Sequence, residues 1–192
     1  MMKTKAIRTF FKRPWFRSFA RWTERTMAIV GLLFLIYHSC FELSVITSPS
    51  MAPALQGTSR ENGDWVLTEK ITKRFREARR WEVIHFDNVD GISVMKRVVG
   101  LPEESVGITK NQLYIDGETL GRPKAFRELT YYSYGNISNH RTVDCNDGYY
   151  VLGDDSRDSQ DSRYDGPIPT KEIRGRAWLI VWPPKRMGFV NG

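Results

Sequence analysis

A mainly antiparallel β domain behind one N-terminal transmembrane helix is the fold class this sequence predicts, and three observations predict it. Beyond residue 48 the chain carries short alternating or β-branched runs: WVLTEK, EVIHFDN, ISVMKRVVG, QLYIDGETL, YYVLGDD and RAWLIVW. Turn signals separate them, among them Asn62-Gly63-Asp64, Asp90-Gly91, Asp116-Gly117 and Gly153-Asp154. Ahead of these runs lies one apolar stretch, MAIVGLLFLIYHSCFELSVI, with a basic segment before it. Six or more short strands closed by turns fit an irregular sandwich or barrel. A chain of 192 residues, 41% hydrophobic and 27% charged, is long enough to bury a core and is not composed like a disordered one.

Charge locates the first segment. Of 29 basic and 22 acidic residues, eight basic ones (Lys3, Lys5, Arg8, Lys12, Arg13, Arg17, Arg21 and Arg25) and Glu24 alone fall in residues 1–25. The remainder holds 21 of each sign, so the net charge of +7 sits in the tail. A neutral body argues against a nucleic-acid-binding face. Residues 1–26 read as a basic cytoplasmic tail, and 27–46 as a membrane anchor. Residues 47–192 read as an extracytoplasmic domain, oriented by the positive-inside rule and carrying a small β subdomain around 101–150. Trp15 and Trp22 suit a membrane–water interface. The apolar run 27–37 is short for a span, and His38 and Glu42 interrupt the second half of the stretch. A buried core helix and a cleaved leader therefore compete, the second without a small-x-small cleavage site. Residues 69–80 could form a helix or an exposed charged loop.

Three segments carry candidate chemistry. In SVITSPSMAPAL, at 44–55, Pro49 and Pro53 bracket Ser50 and stiffen the backbone around one hydroxyl. A serine needs a base to become a nucleophile. His85, on the EVIHFDN strand, has no motif around it and reads as a packing residue. Lys96, in ISVMKRVVG, is a cation inside an apolar strand, where burial lowers an amine's pKa from about 10.4. Alternation sends Lys96 to the face of Val94 and Val98, and Arg97 to the other. The third segment, GDDSRDSQDSR at 153–163, reads as a polar loop. It is a poor calcium loop, since Arg157 and Arg163 interrupt it and it lacks a closing glutamate. Two cysteines about a hundred positions apart and three scattered histidines suggest neither a disulfide framework nor a metal, and no cofactor motif is present.

In order along the chain, SPSMAPAL, GDWVLTEK, MKRVVGLPEE, GDDSRDSQDSR and the closing RAWLIVWPPKRMG resemble the blocks of type I signal peptidases. These are membrane-bound Ser–Lys proteases that remove leader peptides from exported proteins. The resemblance implies Ser50 as nucleophile and Lys96 as general base, with Ser159 orienting the lysine amine. It implies an oxyanion hole made by the Ser50 N–H and the Ser48 hydroxyl, and structural support from Asp154, Asp161 and Arg163. It further implies that Ile46, Met51, Leu55 and Met95 line shallow pockets for small residues at −3 and −1. Preprotein signal peptides and membrane lipid are the implied partners, a single-pass cell-membrane protein the implied location. Thr47, Pro49, Ala54 and Asp155-Ser156-Arg157 depart from the commonest pattern without touching the nucleophile or base. A single-substrate maturation peptidase of the same family and a non-enzymatic membrane-tethered β module are the alternatives.

Overall fold

The computed structural model describes residues 14–138 and 140–190. Lys3, Lys5, Arg8, Lys12 and Arg13 of the expected tail lie outside the described residues. The chain divides into two units, Met1–Cys40 and Phe41–Gly192.

In the first unit, helix α1 (Pro14–Cys40) opens with proline, whose fixed φ suits a first turn. Thr23 and Thr26 are accommodated because their hydroxyls donate back to the carbonyls of Phe19 and Trp22, at 3.0 and 2.9 Å. Among the described residues no helix is long and apolar enough to cross a membrane. The uninterrupted apolar run 27–37 would rise only about 16 Å, against a hydrocarbon core of about 30 Å.

The expected anchor at 27–46 is cut at Cys40. Phe41–Val45 forms strand β1, antiparallel to β2 (Trp65–Glu69), with Phe41 opposite Glu69 and Val45 opposite Trp65. The reason is local: FELSV pairs along its whole length with a strand of the β unit, and that pairing satisfies backbone groups a helix would otherwise bond internally.

The larger sheet continues through β3 (Val83–Asp87), β4 (Ser93–Gly100), β9 (Gly148–Leu152), β10 (Ile168–Pro169), β11 (Ile173–Trp182) and β12 (Gly188–Phe189). Its order is β1-β2-β11-β3-β4-β9-β10, with β12 also on β11. A second sheet is built from β5 (Ser105–Thr109), β6 (Gln112–Ile115), β7 (Glu118–Thr119) and β8 (Thr142–Asp144), in the order β7-β6-β5-β8. Among the described residues every pairing is antiparallel. Asp116 and Gly117, both at positive φ, make the two-residue turn between β6 and β7 that their sequence predicts. Residues 69–80 are mostly loop, with a short 3-10 turn at Thr72–Arg74 and no α-helix.

Strand β4 reads as a near-continuous apolar run because it is covered on both faces. Met95 packs with Met51, Leu55, Val66, Val83, Ala177 and Ile180, whereas Val98 packs with Ile84, Phe86, Tyr149, Val151, Ile168 and Ile173. Farther along, Val99 joins the core of the smaller sheet, with Val106, Ile108 and Leu113. One charged side chain of this strand lies where the first core ends, and that is where the site begins.

Candidate active site

Ser50 sits in a 3-10 turn, Pro49–Met51, closed by the Ala52 N–H on the Pro49 carbonyl at 2.8 Å. Pro49 fits the first position of that turn because it has no N–H to satisfy. Ser48 precedes it in an extended conformation. The loop is clamped from both ends. Ile46 N–H donates to the Asp64 carbonyl at 2.9 Å, Gln56 N–H to Asp64 Oδ2 at 2.7 Å, and Arg186 forms an ion pair with Asp64 at 2.8 Å. Arg186 also donates to the Ala54 carbonyl at 3.1 Å.

Lys96 Nζ donates to Ser50 Oγ at 2.6 Å, and Ser48 Oγ lies 3.1 Å from the same oxygen. Lys96 is 4% exposed and Ser50 7%. Burial pushes the Lys96 amine down to about 8, the nearby Asp161 carboxylate opposing and Arg163 adding to that shift. The next residue, Arg97, turns elsewhere. Its guanidinium grips Asp154 through two bonds of 2.7 Å, donates to the Trp81 carbonyl at 2.6 Å and lies 4.3 Å from the Phe126 ring centre.

A second buried ion pair stands behind the lysine. Asp161 caps the short helix α2 (Ser162–Asp165) and pairs with Arg163 Nη2 at 2.8 Å. It also accepts from Gly153 N–H at 3.0 Å and from Ser159 Oγ at 2.7 Å. Arg163 in turn reaches Ser156 Oγ at 2.6 Å. Gly153 is required here, because a Cβ would stand 2.2 Å from Ser159 Oγ and 2.5 Å from the Ser50 carbonyl oxygen. That carbonyl accepts from the Asp155 N–H at 3.1 Å, joining the two loops.

A cleft of about 340 Å³ opens at Ser50 and Lys96. Ser44, Ile46 and Ser48 line it on one side, and His85 and the 92–96 stretch with Met95 on the other, with Met51 also contributing. Two expectations need correction. Leu55 is fully buried in the core with Val66 and Val83 and does not line the cleft. Its backbone N–H bonds back to Met51, in the turn after Ser50, which directs the side chain inward. Ser159 does not hydrogen-bond Lys96: its hydroxyl donates to Asp161, and the Lys96 amine donates to Ser50. Arg97, Asp64, Arg186 and Gly153 are the supporting residues that sequence reasoning missed. An arginine flanked by valine and lysine inside an apolar strand was the available signal for the first.

His85 is another difference. Beyond packing, it is 1% exposed with both ring nitrogens engaged, Nδ1 3.1 Å from Thr68 Oγ1 and Nε2 hydrogen-bonded to Ser93 Oγ.

Known proteins resemble the chain along most of its length. The family described as "Signal peptidase, peptidase S26" matches residues 19–182. A "Probable signal peptidase I-2" of Synechocystis sp. is 32% identical over 157 residues, 78% of this chain and 67% of that protein. "Signal peptidase I S" of Bacillus subtilis is 28% identical over 182 residues, 91% of this chain and 95% of that one. A crystal structure of a signal peptidase I from Enterococcus faecalis superposes with a TM-score of 0.42 and 30% identity, covering 53% of this chain and 97% of that one. The chain therefore belongs to the signal peptidase family, peptidase S26, and is a hydrolase of that class.

Proposed function

We propose that the protein removes N-terminal signal peptides from exported preproteins by a Ser50–Lys96 dyad, cleaving after small residues at −3 and −1. The observation that carries the reading is the 2.6 Å contact between Lys96 Nζ and Ser50 Oγ, made by a buried amine whose pKa is lowered toward neutrality. In the neutral form Lys96 accepts the Ser50 proton as Oγ attacks the scissile carbonyl from the unusual face. The resulting ammonium then protonates the leaving amine. Water, deprotonated by the same amine, attacks the acyl-enzyme and frees Ser50. The Ser50 N–H and the Ser48 hydroxyl stabilise the oxyanion. Asp161 and Arg163 fix the loop that carries Ser159 and holds the Ser50 carbonyl.

The substrate lies extended in the cleft between the 44–48 and 92–96 segments, beside β1, the terminal strand in the order of the larger sheet, as an added strand. Ile46, Met51 and Met95 supply the apolar contacts that limit side-chain size. The N-terminal unit attaches the enzyme to the membrane. Supporting this are the basic residues before 26 and the exposed apolar run 27–37 on α1. The positive-inside rule then puts the tail in the cytoplasm and the β unit outside. Tethering confines enzyme and leader to one surface and raises their effective concentration.

The test uses full-length detergent-solubilised protein and a preprotein with Ala at −3 and −1. Cleavage by the unaltered chain is expected, and its loss in both Ser50→Ala and Lys96→Met. Cleavage that survives either substitution contradicts the dyad, and absence of cleavage by the unaltered chain contradicts the function.

A further inference from the structure

One buried titratable side chain in the cleft takes no part in the Ser50–Lys96 mechanism. His85 lies opposite Met95 in the β3–β4 pairing and contributes to the cleft wall although almost none of it is exposed. Both ring nitrogens are engaged, Nδ1 with Thr68 and Nε2 with Ser93. Thr68 is itself fully buried, whereas Ser93 is exposed and lines the cleft. A three-member hydrogen-bond chain thus runs from the sheet interior to one hydroxyl at the substrate's side.

Position is set by strand geometry and rests on the proposed function. On β4 the cleft ends at Lys96, since the next residue, Arg97, is fully buried in its ion pair with Asp154. An extended leader with its scissile carbonyl at Ser50 therefore runs beside β4 from Lys96 toward Ile92. Side chains −1 and −3 share a face and stand about 6.6 Å apart, the same interval as Met95 and Ser93. Residue −3 then meets Ser93, with His85 behind it.

We infer that Ser93, held by the Thr68–His85 chain, is a specificity-determining residue that selects a hydrogen-bonding side chain at −3 over its apolar isostere. Burial holds the His85 imidazole below its ordinary pKa, so near neutral pH it carries one N–H and one lone pair. If Nε2–H donates to Ser93, the serine O–H is free to donate to substrate. If Ser93 donates to Nε2, its oxygen is free to accept. Threonine at −3 satisfies either arrangement, and valine, of the same shape, satisfies neither.

The experiment measures kcat/KM for the full chain on three leaders that differ only at −3: Ala, Val and Thr. The expected Thr-to-Val ratio is about tenfold, the size of one net hydrogen bond. It should fall to about one in Ser93→Ala and return in Ser93→Thr, which restores a hydroxyl. A ratio near one in the unaltered chain, a ratio kept in Ser93→Ala, or loss of all cleavage in that variant overturns the assignment. If the unaltered chain cleaves none of the leaders, the Ala one included, the proposed function itself fails. Cleavage of the Ala leader without a Thr-over-Val preference defeats only the role of Ser93.

Discussion

Lys96 Nζ stands 2.6 Å from Ser50 Oγ across 46 positions of sequence, with both side chains buried. An amine in that position is costly to keep charged, and the cost makes it useful as a base. The same physics sets a stability expectation. A lysine whose pKa falls to about 8 on folding carries its full desolvation penalty below pH 8, where it is charged in both states. Between about 8 and its unfolded value the folded state holds fewer protons, so stability rises with pH. Lys96→Met should therefore stabilise the protein near pH 7, by up to about 3 kcal/mol. That gain should shrink by pH 10. Denaturant midpoints at the two pH values check both the sign and the trend.

Asp161 bonds Gly153, Ser159 and Arg163 together, and Arg163 is fully buried. Asp161→Asn leaves that guanidinium uncompensated. The expected loss is about 3–5 kcal/mol, a fall of roughly 10 °C in Tm for a chain of this size. Asp161 also raises the Lys96 pKa, so in the folded variant the acid limb of the rate profile should move to lower pH.

Gly153→Ala tests the joint between the two loops. The added methyl meets Ser159 Oγ and the Ser50 carbonyl, so either Ser50 or the 153–163 loop must shift. A displacement near 1 Å at Ser50, the proposed nucleophile, predicts about a hundredfold fall in kcat. The circular dichroism spectrum should be unchanged. Steady-state kinetics beside that spectrum separates misplacement from unfolding.

Ser48→Ala addresses the proposed oxyanion hole. With Ser48 Oγ 3.1 Å from Ser50 Oγ, its hydroxyl is close enough to serve the developing charge. Loss of one such donor predicts a hundredfold or greater fall in kcat with KM nearly unchanged. A KM effect without a kcat effect would place Ser48 in substrate binding instead.

The strands legible in the sequence are those with a strong period or apolar run. WVLTEK, EVIHFDN, ISVMKRVVG and RAWLIVW all form strands of the larger sheet. Phe41–Val45 is masked by its neighbour: appended to an apolar helix, five alternating residues read as more of the same, and only pairing with β2 reveals them. Strands β5 and β8 are short and polar at their ends, so their periodicity is weak. Within the site, Ser50 and Lys96 are legible because a stiffened serine and an apolar-flanked lysine are locally odd. Leu55 and Ser159 are misread because their contacts depend on partners that local pattern does not show. Leu55 answers to Val66 and Val83, and Ser159 to the carboxylate two residues on, while the Lys96 amine reaches Ser50 from a strand far away in sequence. Asp64 and Arg186 carry no local signal at all, since 122 positions separate the pair.

The most direct test of the central claim is the pH dependence of kcat/KM for an Ala-x-Ala leader. With Lys96 as general base, activity should rise from neutral pH along a single limb with its midpoint near 8, as the amine loses its proton. A profile that is flat from about pH 6 to 10, or a limb in the imidazole range that disappears in His85→Gln, would contradict it.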